Sequence, residues 1–193
     1  MSRLLLGLVL FLGSHSVRIY AENWRQRQIT RFGKNLWKAG YSIVSLIGFV
    51  FIIQGFGAAR QQSIFVWTPP ASMLHVNALF VLIAFILITA AYVPRNHFKA
   101  WLHHPMTLGI QAWAFGHLLA SGRLASIVLF GSFLVWAILS FNAARQRDHV
   151  NPPTYPGGHL IGTVATLIIG TGLWAAFLLR LHTLLIGVPL LLL

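Results

Sequence analysis

An all-α, polytopic membrane bundle of about six transmembrane helices is the fold this sequence predicts. Of its 193 residues, 57% are hydrophobic and 8% charged, against about 25% charged in a soluble domain. Such a composition cannot cover a water-exposed surface, and the mean hydropathy of +0.75 agrees. Apolar runs near the ~20 residues that span a bilayer recur along the chain. The breaks between them collect the basic residues and the Pro-Pro and Gly-Gly pairs. A single membrane domain over 1–193 accounts for the whole, and no internal repeat is visible.

The first helix is expected over 3–21. Arg3 ahead of an apolar run resembles a signal peptide, but no small-x-small cleavage site follows, and the run continues through His15 to Tyr20. It therefore reads as a retained span. A second helix, over 37–57, starts at the interfacial anchors Trp37 and Tyr41. The third, over 73–93, follows the helix-breaking Trp67-Thr68-Pro69-Pro70 and stops at Pro94. The fourth, over 105–121, opens with Pro105 at the position where proline is favoured. The fifth covers 124–141, and the sixth, over 160–179, follows the turn-rich Asn151-Pro152-Pro153-Thr154-Tyr155-Pro156-Gly157-Gly158. The apolar tail 181–193 is too short for a span of its own; it extends the last helix, lies in the interface or packs on the bundle.

Charge gives an orientation. Arg25, Arg27, Arg31, Lys34, Arg95, Lys99, Arg145 and Arg147 fall in loops on one side. Arg3, Arg60, Arg123 and Arg180 fall on the other. The positive-inside rule puts the richer set in the cytoplasm, so both termini face outward, into the periplasm of a bacterial inner membrane. The net charge of +12 is then a matter of topology and anionic lipid, and nucleic acid is not an expected partner.

Glu22 and Asp148 are the only acids, and there is no cysteine. Paired-carboxylate catalysis, carboxylate-rich metal sites, thiolate nucleophiles and cysteine-ligated clusters are thereby excluded. Nine histidines remain as ligands or acid/base groups. A histidine inside hydrocarbon is costly and marks a functional site by default. His15 shares a helical stripe with Arg18 and Glu22. Either Arg18 and Glu22 pair near the interface while His15 bonds another helix, or His15 ligates a metal and Arg18 pairs with an anionic cofactor group. His117 follows Trp113 by one turn, among Gly109, Ala112, Gly116 and Ala120; these small residues permit close helix packing or leave room for a flat cofactor. His103 and His104 precede Pro105 near the cytoplasmic interface, while His97, His149 and His159 read as loop residues and His75 and His182 as interfacial ones. No His-Glu-x-x-His or in-helix His pair at i, i+4 occurs, so a site must form between helices.

Three stretches together resemble the NnrU family, which also contains the zeta-carotene isomerase of plants and cyanobacteria. They are Gly13-Ser14-His15-Ser16-Val17-Arg18, Trp37-Lys38-Ala39-Gly40-Tyr41-Ser42-Ile43-Val44-Ser45, and His104-Pro105-Met106 through Gly109 and Trp113 to Gly116-His117-Leu118-Leu119-Ala120-Ser121-Gly122. Trp67-Thr68-Pro69-Pro70 and Ala91-Tyr92-Val93-Pro94 also look like the bacterial branch, and the likeness covers roughly 1–145. The resemblance implies a haem b protein with His15 and His117 as iron ligands. It implies either a nitric oxide- or denitrification-related role or redox-controlled isomerisation of a lipophilic polyene. The isomerase branch carries a cysteine three residues before the second histidine, where this chain has Ala114, and the family's frequent arginine before His-Pro is here His103. Counting along the helices places His15 and His117 about 9 Å apart in depth. Helix tilt can close part of that gap, and His104 stands as the third candidate ligand.

Two other classes stay open. His103-His104-Pro105-x-x-x-Gly109 is also similar to integral-membrane methyltransferases of the isoprenylcysteine type, which need downstream carboxylates for S-adenosylmethionine; only Asp148 is available, in a predicted loop. A non-catalytic scaffold or assembly factor would use the small-residue stripe to pack a partner helix.

Overall fold

The computed structural model describes residues 1–61 and 64–187. Its helices are α1 (Ser2–Tyr20), α2 (Glu22–Phe32), α3 (Lys34–Gln61), α4 (Met73–Tyr92), α5 (His97–Leu102), α6 (Pro105–Ala120), α7 (Leu124–Val150), α8 (Leu160–Ala176) and α9 (His182–Ile186), with a π-helical turn at Phe177–Leu181 joining the last two. Among the described residues there is no strand, only an isolated antiparallel bridge between Phe65 and Arg123. The all-helical membrane fold is as predicted. Five helical segments are long and apolar enough to cross a bilayer: Ser2–Tyr20, Lys34–Gln61, Met73–Tyr92, Leu124–Val150 and Leu160–Leu184. The 16-residue α6 completes the expected set. At about 1.5 Å per residue it falls short of a ~30 Å hydrocarbon core, but α4 and α7 flank it on either side.

Four boundaries differ from expectation. The stretch 22–32, read as a loop, is helix α2, with Glu22 in its first turn, where the helix dipole favours an acid. Ala21 (φ −134°, ψ 37°) breaks it from α1, and Gly33 at φ 84° ends it. The second span begins at Lys34 rather than 37 and runs to Gln61. The fifth does not stop at 141. Ala143, Ala144, Arg145 and Gln146 are good helix formers, and nothing breaks the helix before Asn151-Pro152, so α7 reaches Val150. Asp148 is therefore helical, not in a loop. The sixth continues through the π-helical turn into α9, which makes the described part of the tail an extension of that helix; residues 188–193 lie outside the described residues.

The long helices pack side by side in the order α3, α1, α7, α6, α4, α8. Glycines set the closest approaches, because in lipid small residues let backbones meet. A Cβ on Gly7 would lie 2.6 Å from the Ile52 backbone nitrogen, and one on Gly48 2.7 Å from that of Phe11. Gly55 meets Leu4 in the same way. Leu4, Leu8, Ile52, Ala59, Ala114, Ala125, Leu129 and Phe130 form the core where α1, α3, α6 and α7 converge. Elsewhere large apolar side chains point outward, among them Ile43, Leu46 and Ile53 of α3 and Ile161 and Ile168 of α8.

Candidate functional site

At the basic end of the bundle, α1, α2, α3, α6 and α7 enclose a cavity of about 950 Å³, within the ~300–1,000 Å³ usual for small-molecule sites. His15, Arg18, Glu22, Tyr41, His104, Trp136, Arg147 and Asp148 are among its lining residues. The predicted His15/Arg18/Glu22 stripe survives the break at Ala21, since all three face this space.

His15 sits in an aromatic cage. Its ring stacks on Phe11 at 4.3 Å, with Tyr41 at 5.1 Å and Trp136 edge-on at 5.9 Å. Its Nδ1 lies 2.7 Å from the Phe11 carbonyl oxygen. A carbonyl only accepts, so Nδ1 carries the proton and Nε2 keeps the lone pair. That second bond is the device by which proteins fix the tautomer of a ligating imidazole. Beside it, the Trp136 indole N–H is buried and has no hydrogen-bond partner among the described residues.

The lip of the cavity is made by the turn into α6. His103 has φ 60° and ψ −46°, and the His104 N–H donates to the Leu102 carbonyl at 2.6 Å. This three-residue γ-turn is a strained conformation for a non-glycine residue. The His103 ring lies flat on Tyr155 at 4.1 Å and 6°. Tyr155 Oη and His104 Nε2 both donate to Asp148 Oδ2, at 2.8 Å and 2.9 Å. Asp148 thus ties α7 to the start of α6 and to the following loop. Burial, then the bond to Asp148, pushes the Tyr155 phenol up to about 12.

Trp113, Gly116 and His117 are not among the cavity's lining residues. A chain of ring contacts runs from one predicted iron ligand to the other: Phe11, stacked on His15, lies 5.8 Å from Phe133, Phe133 5.5 Å from Trp113, and Trp113 5.3 Å from His117. His117 repeats the His15 arrangement, its Nδ1–H donating to the Trp113 carbonyl at 2.8 Å and its ring stacking on Phe130 at 4.4 Å. Gly116 serves helix packing: a Cβ there would come within 2.7 Å of both Asn77 Oδ1 and Phe80 Cβ of α4. Gly109 is closed off likewise by Ile88 and Ala84. The cavity therefore gathers His15, Arg18 and His104 and separates them from the other three candidates. Tyr41, Trp136, Arg147 and Tyr155 were not singled out as site residues from sequence. The uninterrupted helical run from Phe141 to Arg147 was the available signal for Arg147.

Among the described residues no group of three or more histidine or acidic side chains comes together to hold a metal ion. An iron macrocycle needs only one or two imidazoles from the protein. A family model described as NnrU protein matches residues 3–190, well past the stretch on which the resemblance was read. No curated protein and no solved structure matches the chain.

Proposed function

This chain belongs to the NnrU family, and we propose that it is a haem b-binding inner-membrane protein in which His15 supplies an axial ligand. The observation that carries this reading is the free Nε2 of a caged histidine facing a cavity of about 950 Å³. When bound, haem would supply a redox-active iron for nitric oxide or denitrification chemistry, or for isomerising a lipophilic polyene. The protein's own part is to hold and shield. Phe11 fixes the His15 tautomer through its carbonyl and covers the imidazole with its ring. Tyr41 and Trp136 close further faces against water. Asp148 and Tyr155 hold His104 at the lip, with the proton on Nε2 and only Nδ1 available as a lone pair. Of the two further ligand candidates, His104 is favoured over His117, because it lines the cavity and His117 does not. Both termini face the periplasm in this reading.

The test is haem content and absorption spectra of detergent-purified protein, oxidised and dithionite-reduced, with a pyridine haemochrome assay. His15→Ala is expected to lose the haem. His104→Ala should retain it with an altered spectrum, and His117→Ala should retain it unaltered. Haem content unchanged in His15→Ala would sink the reading. A His117→Ala variant without haem would move the site to His117.

A further inference from the structure

Haem-binding cavities are defined as much by what holds the ligand's edge as by the iron ligand, and here the two ends of the cavity differ. Phe11, Tyr41 and Trp136 surround His15 at one end. Five cations, Arg18, Arg25, Lys38, Lys99 and Arg147, also line the space. Both acids of the chain are there too; one oxygen of each is engaged, while Glu22 Oε2 is buried with no hydrogen-bond partner among the described residues. Glu22 Oε1 accepts from Arg25 at 2.9 Å and from Gln26 at 2.7 Å. Asp148 Oδ2 accepts from His104 and Tyr155.

The basic side chains nevertheless outnumber the acids, five to two. Lys99 Nζ donates to the Ala91 carbonyl at 2.8 Å. Arg147 makes one long bond, 3.3 Å, to the Arg18 carbonyl oxygen at the end of α1, and it lies within reach of the charges of Arg18 and Arg25 as well as of Glu22 and Asp148. The Arg18 guanidinium has no hydrogen bond or ion pair among the described residues. Arg18 and His15 are three residues apart on α1, hence about 5–6 Å apart at Cβ. A group held by His15 therefore has its edge within reach of the Arg18 fork. Guanidinium forks match carboxylates in bidentate fashion.

We propose that Arg18 and Arg147 form a carboxylate-binding edge that orients the ligand, its acidic groups toward α2 and the end of α7 and its ring system toward His15. This rests on the haem reading and names the part of the porphyrin that is read: the free propionate carboxylates.

The experiment compares binding of protohaem with that of its dimethyl ester, in which the carboxylates are neutralised while the ring and iron are unchanged. Titrations use full-length apoprotein in one uncharged detergent, followed by absorbance. Taking the acid-to-ester affinity ratio in each variant cancels the ester's greater partitioning into detergent. Wild type is expected to favour the acid, and the ratio should fall by about tenfold in Arg18→Gln/Arg147→Gln. Lys34→Gln, whose side chain does not line the cavity, should leave the ratio at the wild-type value. Should the double variant fail to fold, Arg18→Lys, which keeps the charge but removes the fork, is expected to lower the ratio on its own. An unchanged ratio in a folded Arg18 variant that still binds haem overturns this proposal and spares the haem reading. Failure of both porphyrins to bind wild type overturns the haem reading and this one with it.

Discussion

His15 and His117 make the same local bond, an Nδ1–H to the carbonyl four residues back. What differs is their surroundings. His15 opens onto a cavity, while His117 stacks on Phe130 beside Trp113 and does not line it. The sequence placed both inside hydrocarbon but could not say which would have space in front of it. Tyr155 offers a check on the lip at the same scale. Its phenol is raised to about 12 from an ordinary 10.0, so the folded state holds the proton more tightly than the unfolded one. The stability this lends is complete below about pH 10 and is lost as the pH rises toward 12. Ultraviolet titration of the tyrosines should therefore show a late-titrating group that belongs to Tyr155. Asp148→Asn should bring that group back toward its ordinary range, and Tyr155→Phe should remove it. A titration in Asp148→Asn identical to wild type would mean that burial alone holds the proton.

At the scale of elements, helix contacts depend on where glycine falls rather than on how many there are. Gly55 meets the Leu4 backbone, whereas Gly13 of α1 has nothing within 4 Å of where a Cβ would be. Gly55→Ala must push α1 from α3, and a loss of about 1–3 kcal/mol is expected. Gly13→Ala should be neutral or slightly stabilising, since alanine is the better helix former. Thermal unfolding in detergent measures both, and equal behaviour of the two would contradict the packing described. The same reasoning explains Gly109 and Gly116: their Cα surfaces are covered by α4, so neither offers a face to a partner helix. The extension of α7 to Val150 is the other consequence at this scale. It carries Arg147 and Asp148 down to the cavity, where a loop would have left them unplaced.

For the whole molecule, the proposed topology has α6 cross with the five longer helices, which would return the chain to its starting side. A chain without cysteine suits single-cysteine labelling. A membrane-impermeant maleimide added to intact cells should label Ser2→Cys and leave Gln28→Cys and Gln146→Cys unlabelled until the membrane is opened. Labelling of Gln146→Cys from outside would invert the topology and place the cavity's charged end in the periplasm.

Composition and apolar run length alone determined that this is a helical membrane protein, because lipid admits few other backbones. The position of Pro105 set the start of α6 for the local reason that proline fits a first helical turn. The family likeness was carried by short motifs around His15, Trp37 and His104. Helix α2 was hidden by its polarity, since a helix lying outside hydrocarbon leaves no apolar run to read. The tertiary structure alone decided which side chains share the cavity. His15, Arg18, His104, Arg147 and Asp148 come together only because α1, α6 and α7 end at the same side of the bundle. His117, on the same helix as the proline that follows His104, lies outside that cavity among aromatic rings whose packing no spacing along the chain records.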